Sequence, residues 1–144
     1  MRLALMQAQK AGQRGEVPVG AVIIDPRKNL IIASSGNRVQ ETNDPTAHAE
    51  VLVIREATKI LGSPRLKGYN LFVTLEPCPM CAFTISLTRI HHLYIGAYDP
   101  KGGGVFHGPQ VFDHPTCHHK PEITSGHQEE GAKKLLKEFF LARR

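Results

Sequence analysis

No stretch of this 144-residue chain approaches the roughly 18 to 20 consecutive apolar residues needed to cross a bilayer. The segment from Met1 to Gly15 lacks a long apolar centre and a small-residue cleavage site, so the sequence predicts a first helix there and no signal peptide. Cysteine is scarce. The three present are an odd number, and two of them stand as Cys78-Pro79-Met80-Cys81. Without an export signal, that spacing points to a metal site or a redox pair and away from a disulfide framework, and the expected compartment is the cytoplasm. Internal repeats, low-complexity tracts and linkers are also missing, so one domain over residues 1–144 is expected. At that length a core can form without disulfides. The excess of basic residues is small, 18 Lys and Arg against 13 Asp and Glu, for a net charge of +5. It permits a polyanionic partner without establishing one.

What is present reads as alternating helices and strands. Helical spacing runs from Leu3 and Met6 to about Gly12 and Gly15. Residues 18–24 and 30–34 read as strands joined by the turn Asp25-Pro26-Arg27-Lys28-Asn29, a hairpin. Asp44-Pro45-Thr46 opens a helix from Ala47 to Leu61, stopped by Gly62-Ser63-Pro64. A short apolar strand over residues 71–75 leads to a helix from Pro79 to Leu87 that is apolar almost all round and so expected to be buried. Residues 93–97 read as another strand. Residues 99–120, rich in Gly, Pro and His, read as a long functional loop with one helical turn. Ala132, Leu135, Leu136 and Phe139 mark a closing amphipathic helix with a basic end. The alternation implies an α/β layer sandwich, and a hairpin followed by strand–helix–strand units implies a mixed sheet.

Two motifs carry chemistry: Thr46-Ala47-His48-Ala49-Glu50 and Glu76-Pro77-Cys78-Pro79-Met80-Cys81. Each falls where a helix begins, and a helix N-terminus favours the thiolate that binds metal. Cys78 and Cys81, one turn apart, can face one ion, with His48 adding an imidazole. Three protein ligands leave one tetrahedral position open, the pattern of a catalytic zinc. Glu50, two residues after His48, is then free to move protons beside a metal that makes water reactive near neutral pH. Other readings stand beside this one. A redox pair leaves His48 and Glu50 idle, a closed structural zinc site needs a distant fourth ligand, and core cysteines leave the two framing prolines without a reason.

H-x-E paired with P-C-x-x-C is the signature of the zinc base deaminases. Residues 16–22, 36–38, 43–50 and 73–81, continued by 95–101, His114-Pro115 and the final helix, resemble the bacterial tRNA-specific adenosine deaminases through nearly the whole chain. The resemblance implies a three-layer cytidine deaminase-like α/β fold whose central five-stranded mixed sheet is flanked by helices. It also implies one Zn2+ per subunit, a homodimer, and conversion of adenosine to inosine at the wobble position of a tRNA anticodon. Carried over by motif, Asn37 would hydrogen-bond the flipped base, Val22 and its strand would wall the pocket, and Ala49 would touch the substrate. Asp99 and the glycine loop from Lys101 to Gly104 would line the RNA, with His114 and the basic last helix along the same surface.

Each of these residues also has a plainer reading: Asn37 as a turn residue beside Gly36, Asp99–Gly104 as a surface loop, the terminal cations as a solvated helix face. Cys117-His118-His119 is rich in ligand types, and solvent-facing loop residues are the preferred reading over a second metal site. His91 and His92 are assigned no function. The alternative activity is that of a guanine deaminase of the same fold, and a silent zinc-binding module is the third reading. The basic balance, the Asp99–Gly104 loop and the long last helix favour tRNA.

Overall fold

The computed structural model describes residues 1–144. Helix α1 (Arg2–Gln13) leads into the hairpin β1 (Gly20–Asp25) and β2 (Leu30–Gly36). A short helix α2 (Val39–Thr42) precedes α3 (Ala49–Leu61), β3 (Asn70–Leu75), α4 (Pro79–Thr88) and β4 (His92–Ala97). A single 3-10 turn, Val111–Asp113, then β5 (Glu122–Ser125) and α5 (Glu129–Leu141) complete the chain. The five strands form one sheet in the order β2-β1-β3-β4-β5. β1 is antiparallel to β2 and β3, while β3, β4 and β5 run parallel. The mixed five-stranded sheet between helices is the architecture the resemblance implies.

Alternation along the strands sorts the layers. Val19, Ala21 and Ile23 of the β1 segment, Leu71 and Val73 of β3, and Leu93 and Ile95 of β4 share a buried core with Val53, Ile54 and Ala57 of α3 and Ala82 and Ile85 of α4. Residues between them point to the other face. There α1 lies close to the sheet because small residues meet small residues. Ala4, Ala8 and Ala11 are fully buried on one helix face. Opposite them a Cβ on Gly20 would clash with the Ala4 carbonyl and come within 2.6 Å of the Ala8 nitrogen.

Four elements differ from the sequence expectation. α4, expected to be buried, is covered on one side only, and Phe83 and Leu87 on its other side stand exposed. α2 has only four residues, too few for a periodic signal. The buried Glu16 carboxylate holds it by accepting the N–H groups of Gln40 (2.7 Å) and Glu41 (3.4 Å). α3 begins at Ala49, two residues later than expected, because Asp44 first closes a turn by accepting the Thr46 N–H at 2.8 Å and the Thr46 hydroxyl at 2.7 Å. β5 is an edge strand with one apolar residue, Ile123, so no pattern announces it.

Candidate active site

β3 ends at Leu75, and the chain turns through Glu76 and Pro77 into Cys78, the N-cap of α4. Pro79 takes the first helical position, where its missing N–H has no cost. Cys81 follows one turn on, fully buried. His48 is the N-cap of α3, and Glu50 is the second residue of that helix. Two helix N-termini thus converge just beyond the carboxyl ends of the parallel strands, where open α/β sheets place their ligands.

His48 Nδ1 lies 3.6 Å from Cys78 Sγ and 3.5 Å from Cys81 Sγ. Bonds of about 2.3 Å to sulfur and 2.0 Å to nitrogen at a tetrahedral angle separate the two donors by roughly 3.5 Å. The side chains therefore stand as three corners of a zinc tetrahedron, and no fourth ligand residue joins the group. The Cys81 thiol and the His48 imidazole hold the Cys78 thiol down at about 4. Cys81 is pushed up by the Cys78 sulfur, by burial and by Glu50. The pair on its own thus keeps one proton, which a divalent cation would displace. Contact with Cys78 raises His48. Burial pushes the Glu50 carboxyl up to about 7, and the Cys78 sulfur adds to the rise.

The site opens into a cavity of about 660 Å³ whose walls include Val17, Val19, Asn37, Leu75, Asp99 and Phe139. Asn37 Oδ1 accepts the Ala49 N–H at 2.7 Å. Only the oxygen can accept, so this bond fixes the amide orientation and leaves the Asn37 Nδ2 donor for a ligand.

Residues 1–97 match the cytidine and deoxycytidylate deaminase zinc-binding region. The chain belongs to this family. A tRNA-specific adenosine deaminase of Agrobacterium fabrum is 54% identical over 145 residues, covering 100% of this chain and 93% of the relative. A solved chain from structural studies of A-to-I editing by tRNA:A34 deaminases aligns with a TM-score of 0.91 at 54% identity, over 94% of this chain and 97% of that one. A guanine deaminase of Bacillus subtilis aligns at 0.67 and 32% identity, over 99% and 90% of the two chains. The metal of this deaminase is zinc, one ion to one His48, Cys78 and Cys81 set.

The deaminase fold brings some of the expected site residues together and separates others. His48, Glu50, Cys78, Asn37 and Asp99 line one cavity, and Cys81 completes the ligand set behind it. Val22 does not line it. It shares the α1 face of β1 with Gly20, so Val17 and Val19 form that wall instead. Ala49 is buried and takes part through its N–H on Asn37. Lys101 and His114 are exposed outside the cavity, the latter with Nε2 donating to the Pro109 carbonyl at 2.6 Å. The Cys117 sulfur faces the Ser86 hydroxyl at 3.2 Å, and His119 Nε2 donates to the Ile90 carbonyl at 2.7 Å. Cys117 and His119 are therefore half-buried and turned inward, not solvent-facing as expected, because Ser86 and the Ile90 carbonyl hold them; His118 alone of the three is exposed.

Sequence reasoning assigned Glu76 no role, yet it organises the loop after β4. Its buried carboxylate accepts the N–H groups of Asp99 (2.9 Å), Val105 (3.2 Å), Phe106 (2.8 Å) and His107 (3.1 Å), and His107 Nδ1 sits at 2.8 Å. Burial alone would raise this carboxyl; the Asp99, His107 and Phe106 donors outweigh it and hold it below the ordinary range. The stability it contributes is therefore present above the ordinary carboxylate pKa and lost as pH falls through the lowered folded value. The loop in turn presses on the metal site, since a Cβ on Gly104 would come within 2.6 Å of the Pro79 nitrogen. Glu76→Ala is expected to destabilise the deaminase by about 3 to 5 kcal/mol, because it strands a set of buried donors. Urea unfolding measures this, and a loss under about 1 kcal/mol would contradict the anchoring role.

Proposed function

We propose that this protein deaminates adenosine to inosine at the wobble position of a tRNA anticodon, as one catalytic domain over residues 1–144. The observation that carries the reading is the buried Glu50 carboxyl beside three metal ligands, opening on a cavity of about 660 Å³. That volume lies in the range of small-molecule sites and accommodates a purine. The names of the Agrobacterium fabrum relative and of the tRNA:A34 deaminase chain support the substrate, both at 54% identity.

Zinc supplies the Lewis acid that makes water nucleophilic near neutral pH. Glu50 takes a proton from the attacking water, gives it to the ring nitrogen, and then assists the departing amine. A C–O bond forms at C6, the C–N bond breaks, ammonia leaves and one water is consumed. Asn37 holds the flipped base through its free Nδ2 donor, and Val17 and Val19 exclude water from one side. Asp99 at the cavity, with Lys101, His114 and Arg143 around it, meets the flanking nucleotides. An unpaired anticodon loop lowers the cost of extruding the base.

Guanine deamination is the second reading, favoured by the 32% identity to the Bacillus subtilis enzyme. Inosine formed in an anticodon stem-loop, with no ammonia released from free guanine, supports the first reading; the reverse result overturns it. If about three phosphates are engaged, stem-loop affinity is expected to fall about 20-fold over a fourfold rise in salt. A flat response in a filter-binding series would exclude the RNA contacts.

A homodimer is part of the proposal. α4 is apolar almost all round, yet Phe83 and Leu87 are 41% and 66% exposed. A second copy covers such a face at the lowest cost, since self-association needs no other partner. Leu87→Glu is expected to sediment as a monomer where the parent sediments as a dimer; equal masses would rule this surface out. A cytoplasmic location accords with a tRNA substrate and with three free cysteines. No helix is long and apolar enough to cross a membrane.

A further inference from the structure

The end of the sheet opposite the zinc ligands carries a second cleft, of about 430 Å³, lined by Arg65, Lys67, Gly68, Arg89, His91 and His119. It sits at the start of β3 and β4, whereas Glu76 and Cys78 follow the far end of β3. Six residues of strand put the two sites about 20 Å apart. Gly68 aside, all five lining side chains are basic or imidazole, and no carboxylate lines the cleft. Three fixed cations here are a large share of a net charge of +5. None of the three forms an ion pair, although Arg27 nearby is paired with Asp25 and the Glu122 carboxylate is held by His92.

The cations are arranged by the fold. Arg65 Nη1 donates to the Leu87 carbonyl at 3.1 Å, and Arg89 Nη1 donates to the His118 carbonyl at 3.0 Å. His119 is held by its bond to the Ile90 carbonyl. Each guanidinium has five N–H donors, so one bond to a carbonyl leaves the others for a ligand. An opposing effect is present, because α4 ends here and its last carbonyls carry partial negative charge. That charge is already met. Arg65 covers Leu87, and the Leu66 N–H donates to the Thr88 carbonyl at 2.6 Å. Three like charges around one cleft repel one another unless an anion joins them.

We propose that the cleft of Arg65, Lys67, Arg89, His91 and His119 is a phosphate-binding site, separate from the zinc centre. Planar guanidiniums beside an ammonium match the tetrahedral oxygens of a phosphate group. The phosphate comes from an RNA backbone or from a free phosphate compound. The site stands apart from the deamination reaction, and its test needs no turnover.

Inorganic phosphate is titrated into the zinc-loaded full chain at fixed pH and ionic strength, while the ring resonances of His91 and His119 are followed by NMR. Both are expected to move along one saturating curve that chloride does not reproduce. Lys67→Ala is expected to weaken the curve about tenfold, the loss of one charge-assisted contact, and Arg65→Gln by a similar factor. Lys67 has no internal hydrogen bond, so its variant keeps the fold, and unfolding midpoints check the second. Displacement of phosphate by full-length tRNA assigns the RNA backbone. Displacement by adenosine monophosphate, and not by tRNA, assigns a free phosphate compound. No saturable shift in the parent, or curves that both variants leave unchanged, overturns the proposal.

Discussion

Glu50→Ala is expected to retain a full equivalent of zinc and to lose turnover by about 10²- to 10⁴-fold, the range of a positioned proton shuttle. The ligand set does not include Glu50, so its removal leaves His48, Cys78 and Cys81 in place. The variant should also unfold at the same temperature as the parent or higher. Burial pushes this carboxyl up to about 7, which means that the folded state holds it at a cost in free energy. A group kept at a cost is kept for chemistry, the usual exchange between stability and activity at such sites. Metal analysis, the rate of inosine formation and a melting curve together check this. A rate within about tenfold of the parent would remove Glu50 from the reaction.

Cys81→Ser should fail in the opposite way, by losing the metal first. Serine has nearly the same size, but its hydroxyl does not become an anion under conditions where a thiol at a zinc site does. Removing even an outer partner of a zinc ligand weakens binding about 10- to 100-fold, so losing a ligand is expected to cost at least 100-fold. Zinc joins the start of α3 to the start of α4, and its binding free energy is part of the folding free energy. A chelator should therefore lower the melting temperature of the parent and leave that of Cys81→Ser almost unmoved. Cys117→Ser is the control. Its sulfur faces Ser86 and the His119 carbonyl and should bind zinc like the parent. Full zinc occupancy in Cys81→Ser would mean that the ligand assignment is wrong.

Much of the metal centre is legible in the sequence. Cys78 and Cys81 are one helical turn apart, His48 begins another helix, and such local spacing survives whatever the rest of the chain does. The apolar run of residues 71–75 and the segment 93–97 announce strands for the same reason, while their parallel pairing is decided by the fold. Where the sequence reading stopped, the deciding partner was far along the chain. Glu76 binds N–H groups 23 to 31 residues away, and Glu16 binds those of Gln40 and Glu41. A carboxylate in a sequence does not say which backbone will turn toward it.

The side of a strand is a similar matter. Alternation divides Val19 from Val22, but only the packing of α1 on Gly20 decides which of them meets the pocket. Phe139 and Arg143 reach the cavity because α5, the last helix, folds back beside α1 near the start of the chain. The metal ligands and most of the elements are thus written in short-range pattern. The anchoring of the loop after β4, the walls of the cavity beside the metal ligands and the cationic cleft at the far end arise only when distant segments meet. Contacts between residues far apart depend on how the whole chain closes, and no local rule carries that information.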